Sequence, residues 1–165
     1  MPFPAIRRPR PCHAAVAALL ALASAGGAAH ADLAADLAGR WSGWGSIVMA
    51  NGATEQVRCV VQYEAGDGGG TLRQSLRCAS ASYRVDADAD LKLDGGEVAG
   101  KWSEHTTKAE GSVRGRAAEA GLNLTVEGDH FSAAVAVTTA GCKQSITIAP
   151  AGLDVARVSI ALTRC

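Results

Sequence analysis

Between Ser82 and Asp94 apolar and polar residues alternate without a break. Tyr83, Val85, Ala87, Ala89, Leu91 and Leu93 take one parity; Ser82, Arg84, Asp86, Asp88, Asp90 and Lys92 take the other. Successive side chains of a strand point to opposite faces, so a period of two predicts a β-strand with one apolar and one solvated face. The alternation returns in Val57/Cys59/Val61/Tyr63, Leu72/Gln74/Leu76/Cys78, Leu122/Leu124/Val126, Phe131/Ala133/Val135/Val137, Ile146/Ile148 and Val158/Ile160/Leu162. Turn chemistry separates these runs: Asn51-Gly52, Asp67 to Gly70, Asp94-Gly95-Gly96, Gly128-Asp129 and Pro150-Ala151-Gly152. Roughly eight to ten short strands joined by hairpins result. Only Asp32 to Leu37 reads as helical, an alanine-rich lead-in with little to bury.

Strands without crossover helices form an antiparallel meander. A one-sided meander must cover its apolar face, and closing into an up-and-down β-barrel does so while removing exposed edges. The expected fold is therefore all-β, a small barrel, with a β-sandwich as the alternative that parity cannot separate from it. A barrel of opposite polarity, apolar face outward, would sit in an outer membrane and carry aromatic girdles. Beyond residue 31 there are only Trp41, Trp44, Trp102, Tyr63, Tyr83 and Phe131 to build such girdles, which argues against that reading.

The first 31 residues depart from this pattern. Arg7, Arg8 and Arg10 precede an apolar run from Ala14 to Ala25, and Ala29-His30-Ala31 offers a small-residue cleavage site. The segment 1–31 reads as a secretory signal peptide, leaving 32–165 as a single barrel domain. At about 20 residues for a span, the run is too short to cross a membrane as a helix. No membrane span is expected after cleavage, and the destination is periplasmic or secreted. Removing the leader leaves thirteen basic against sixteen acidic residues, a net charge of −3. No basic stripe survives, so nucleic acid is not an expected partner.

An oxidising destination lets cysteines pair. Cys59 and Cys78 are equidistant from the Asp67–Gly70 turn and share the apolar parity of their strands, which places them opposite each other at disulfide distance. Cys142 and Cys165 would close the final hairpin. Cys165 is out of step with Val158, Ile160 and Leu162, an offset that a bulge or a loosened terminus would absorb. No Cys-x2–4-Cys spacing exists for zinc, and neither a metal nor another cofactor is expected.

Trp44, Tyr83, Trp102 and Gln74 are the candidate ligand-binding residues: aromatics near strand ends and a polar group on an apolar face. Gln144 is the second such amide and is expected to be satisfied structurally. Two carboxylate–imidazole neighbour pairs, Glu104-His105 and Asp129-His130, fail as catalytic couples because adjacent strand residues face opposite ways. There is no Gly-x-Ser-x-Gly elbow and no phosphate loop, so no catalytic residue is assigned and enzymatic activity is not expected.

Gly39-Arg40-Trp41 resembles the G-x-W signature that opens lipocalins and related calycin barrels. The resemblance implies a barrel closed at one end by Trp41, with a basic side chain of the last strand, Arg164 or Arg157, lying over the indole. The stretches Gly39 to Gly45, Leu76 to Ser80 and Gly141 to Ile146 are similar to those of small secreted β-barrel proteins of rhizobial and related alphaproteobacteria. That likeness implies periplasmic export and supplies no activity. Two functional expectations follow. The first is a barrel that binds a small apolar ligand. The alternative is a protein-binding module, such as an inhibitor of a secreted protease or cell-wall hydrolase, with Asp32–Ala38 and Thr106–Gly111 as its contact segments.

Overall fold

Every alternating run of the sequence is a strand in the computed structural model, which describes residues 33–165. The expected signal peptide and cleavage site lie outside the described residues. Three further strands complete the sheet where alternation was hidden. The strands are β1 (Gly39–Met49), β2 (Thr54–Ala65), β3 (Thr71–Ala79), β4 (Arg84–Asp94), β5 (Glu97–Glu104), β6 (Ala109–Ala118), β7 (Gly121–Glu127), β8 (Ser132–Ala140), β9 (Lys143–Ala151) and β10 (Val155–Thr163). Each pairs antiparallel with its chain neighbour, and β10 returns to β1 from Ser42↔Thr163 to Met49↔Val155. The sheet closes on itself as a ten-stranded up-and-down barrel. With no edge left open, the sandwich alternative falls away.

The hidden strands carry glycine at inward positions. On β1 a Cβ at Gly43 would collide with the carbonyl oxygen of Ala161 on β10, and on β6 one at Gly111 would collide with that of Glu127. Close strand approach, rather than turn geometry, demands glycine there. Elsewhere the inward parity is mainly apolar and buried, including Val57, Val61, Leu72, Leu91, Val113, Leu122, Ile146, Ile160 and Leu162. Outward positions carry the charges, the reverse of an outer-membrane barrel. Among the described residues no helix is long and apolar enough to cross a membrane.

A short helix, α1 (residues 33–37), precedes β1 and corrects the expectation of a lead-in with little to bury. Leu33, Ala34 and Leu37 are at most 5% exposed and belong to the core. They stop the end of the barrel where β1 begins. Trp41 is fully buried beside them and donates its indole N–H to the Leu37 carbonyl at 2.8 Å. The Arg164 guanidinium lies over the Trp41 ring, 4.7 Å from its centroid, and donates to the carbonyls of Asp36 (2.8 Å) and Ala38 (3.1 Å). Arg157, the other candidate for this position, is exposed at the opposite end of β10.

Both expected cysteine pairings appear, the first as the register argument requires. Cys59 and Cys78 face each other across β2 and β3, and Cys142 joins Cys165 at the closed end. Cys165 lies beyond the last residue of β10, so the loosened terminus is what absorbs its offset. The one register shift in the β1–β10 pairing sits at the other end, between Val48 and Met49.

Replacing Trp41 with alanine removes the largest fully buried side chain and the hydrogen bond that holds α1. We expect Trp41→Ala to cost about 3–5 kcal/mol of unfolding free energy. Urea titration at constant m-value measures it, and a loss below about 1 kcal/mol would contradict this account of the stopper.

Candidate functional site

Because the strands alternate in direction, the chain turns at residues 50–53, 80–83, 105–108, 128–131 and 152–154 gather at the end opposite α1. Below this mouth the core leaves a cavity of about 130 Å³. Its walls are mainly aliphatic: Leu76, Leu91, Val113, Leu124, Val135 and Ile148 among them, with Trp102 towards the mouth. Ala87 and Ala89 on β4 open the space, since larger inward residues there would fill it. Gln74 stands opposite Ala89 in the β3–β4 register and brings an amide into the lining. Asp88 also borders it, but its carboxylate turns outward to His105 Nε2 at 2.9 Å.

Trp102 is held on three sides. Its indole N–H donates to the Glu127 carbonyl at 3.0 Å, passing over Gly111, its registered partner on β6. A Cβ at 111 would stand 2.8 Å from Trp102 Nε1, so glycine makes the room that the indole uses. The Phe131 ring meets Trp102 edge to face at 5.5 Å and 61°. Phe131 is half-buried in the 128–131 turn and packs against Gly128. Nothing in sequence spacing announced this brace, because Phe131 has the parity of the next strand without belonging to it.

The four expected ligand residues do not converge. Trp102 and Gln74 line the cavity. Trp44 does not: it points outward from β1, 59% exposed, with the Arg58 guanidinium 5.8 Å from its ring. Its parity is opposite to that of Trp41, so burying one exposes the other. Tyr83 precedes β4 on the rim, 37% exposed, with its hydroxyl 3.5 Å from Met49 Sδ rather than directed inward. Gln144 is buried and structurally satisfied, though by side chains: Tyr63 Oη donates to its Oε1 at 3.3 Å and its Nε2 donates to Thr139 Oγ1 at 3.2 Å. Burial holds the Tyr63 phenol well above its ordinary pKa, the Gln144 contact opposing that only in part.

Glu104 and His105 are engaged separately, as opposite strand faces require. Glu104 accepts from the N–H groups of Asp86, Thr106 and Thr107 and from Thr107 Oγ1. Partial burial would raise its pKa, but these hydrogen bonds together outweigh it and hold the carboxyl at about 2. The partner of His105 is Asp88, reached across the β4–β5 pair. That contact raises the His105 pKa and, with Ser75 adding to it, lowers that of Asp88. On the same outer face Arg73 meets Asp90 at 2.9 Å and Arg77 meets Asp86 at 3.3 Å. Asp86, Asp88 and Asp90 of β4 thus each meet a basic side chain on the outer face.

No protein-family model matches this chain, and no curated protein matches it in sequence. Among solved structures the chain is similar to the S-type phycobiliprotein lyase of Guillardia theta, with a TM-score of 0.59 and 11% identity over 81% of this chain and 91% of that one. At that identity the likeness is one of fold, a distant structural neighbour of the barrel described above.

A raised histidine pKa stabilises the fold fully below the unfolded value of 6.5 and ceases to do so as pH rises through the folded value. A lowered aspartate pKa acts above 3.8 and is lost as pH falls through the folded value. The His105–Asp88 pair therefore contributes most between those two limits. We expect the urea midpoint of the protein to fall between pH 5.5 and 8.5, and His105→Gln to remove part of that fall. Identical pH profiles for the two proteins would show that the pair contributes nothing.

Proposed function

We propose that this chain is an exported barrel that binds a small apolar molecule in the cavity between Gln74 and Trp102. The observation that carries this reading is the lining, an almost wholly aliphatic wall with one amide placed to orient an occupant. Such a wall gains from any apolar surface that enters it. The volume limits the occupant. Drug-sized ligands occupy roughly 300–1,000 Å³, whereas a dry cavity of about 150 Å³ is known to accept benzene. A single ring or the end of a short alkyl chain fits the space of about 130 Å³; a sterol or tetrapyrrole does not.

Export is supported by the two disulfides, which persist in oxidising compartments, and by the leader expected over residues 1–31. The signal-peptide boundary and a periplasmic destination are part of the same proposal. Binding rather than catalysis is supported by the separate engagement of Glu104 and His105, which leaves neither facing the other across a substrate. The structural neighbour is described as a lyase; the shared fold carries no activity over to this chain.

Filling the space is the direct test. Ala89→Leu adds three carbons at the wall facing Gln74 and Trp102, and it is expected to fold with unchanged or raised thermal stability while abolishing binding. Benzene titration followed by thermal shift and by tryptophan emission reads both proteins, and native against denaturing mass spectrometry of exported protein reads retained cargo. Benzene that stabilises the native chain and not the variant supports the proposal. If neither benzene nor a retained mass is detected, or if Ala89→Leu binds as the native chain does, the cavity is not a binding site.

A further inference from the structure

The outer wall of β2–β4 near the mouth carries a second concavity, separate from the interior, with Trp44 of β1 beside it rather than in its lining. It measures about 470 Å³, within the usual range for ligand sites of roughly 300–1,000 Å³. Its position follows from register. Trp44 on β1 opposes Arg58 on β2, Arg58 opposes Ala79 on β3, and Ala79 opposes Arg84 on β4. One cross-strand row therefore presents an aromatic ring and two guanidiniums with a small residue between them. At about 4.8 Å per strand the row is about 14 Å long. Val60 contributes apolar surface beside it, and Arg77 borders it already paired with Asp86.

Two properties mark this row as more than a solvated face. Among the described residues Arg58 and Arg84 form no ion pair, as holds also for Arg40, Arg114 and Arg157, but these two share one cross-strand row, whereas Arg73, Arg77 and Arg116 each have a carboxylate within 4 Å. An uncompensated positive row stands out on an expected mature chain that is acidic overall. Trp44 is the most exposed large hydrophobic residue described. Trp, Tyr and Arg are the residue types over-represented at interface hot spots.

We propose that this row is a docking surface for an acidic segment of a partner protein. Charge complementarity selects the occupant: carboxylates answer Arg58 and Arg84, and Trp44 with Val60 takes the apolar side chains between them. An inorganic anion would leave that apolar surface uncovered. Residues 1–32 of the same chain carry Arg7, Arg8 and Arg10 and would be repelled. An anionic membrane pressed on the mouth would meet Glu55, Glu104 and Asp154. The concavity meets one of the segments expected to make partner contacts, 106–111, at Thr106; it lies apart from the other, 32–38, whose helical part buries Leu33, Ala34 and Leu37.

The test uses the disulfide-bonded protein and a fluorescein-labelled nonapeptide of glutamates with a central leucine, read by anisotropy at two salt concentrations. Binding should weaken with salt, fall about tenfold or more in Arg58→Glu/Arg84→Glu and fall severalfold in Trp44→Ala. Arg114→Glu/Arg116→Glu on β6 changes net charge equally and should leave binding unchanged. All these side chains point outward, and circular dichroism checks that each variant keeps the barrel. No peptide binding at millimolar concentration overturns the proposal, as does equal weakening by the two double variants or indifference to Trp44→Ala. Tighter binding to phosphatidylglycerol vesicles, or a dimer that Arg58→Glu/Arg84→Glu dissolves, would assign the row to a lipid or to a second copy and overturn it equally.

Discussion

Closure of the barrel depends on how Trp41 is held. Its indole is fully buried, its N–H reaches back to α1, and its face is covered by Arg164 from beyond the last strand. One residue thus joins the start of the sheet, the stopper and the C-terminal end. Arg164 adds two hydrogen bonds to carbonyls of the α1 region that have no partner within a helix of five residues. Cys142–Cys165 fixes the segment that carries Arg164. A guanidinium suits this end of the barrel because its several donors match diverging carbonyls.

Packing then decides how much interior remains. Ten strands enclose more space than eight, which are just wide enough to be filled by side chains. Here α1, Trp41, Tyr63 and the Tyr63–Gln144–Thr139 hydrogen bonds occupy the closed half. Close strand approach at Gly43 and Gly111 narrows the wall. What is left lies under Trp102, beside the two alanines of β4. Cavity and aromatic brace are consequences of one arrangement: Gly111 admits the indole, and the indole covers the space.

Much of this architecture was legible in residue order. Strict alternation from Tyr83 to Leu93 identified β4 and its solvated face, and the equal distances of Cys59 and Cys78 from one turn set a register that the β2–β3 pairing reproduces. Strands β1, β5 and β6 were harder to read because glycines at inward positions erase the apolar parity. The helix was visible but its role was not, since three apolar side chains look inconsequential until a barrel end exists to receive them. Among the ligand residues, parity alone should have separated Trp44 from Trp41; nearness to a strand end was the weaker criterion.

Sequence by itself determined the all-β class, the hairpin order and the Cys59–Cys78 pairing, because each rests on a period of two and on turns, which are local. Only the tertiary structure decided which inward aromatic would border a cavity, that Asp88 is the partner of His105, and how large a cavity ten strands would enclose. Those outcomes depend on side chains far apart in the chain meeting across a closed sheet. Closure imposes a single global geometry, and no local pattern encodes the volume that remains once every inward side chain has been placed.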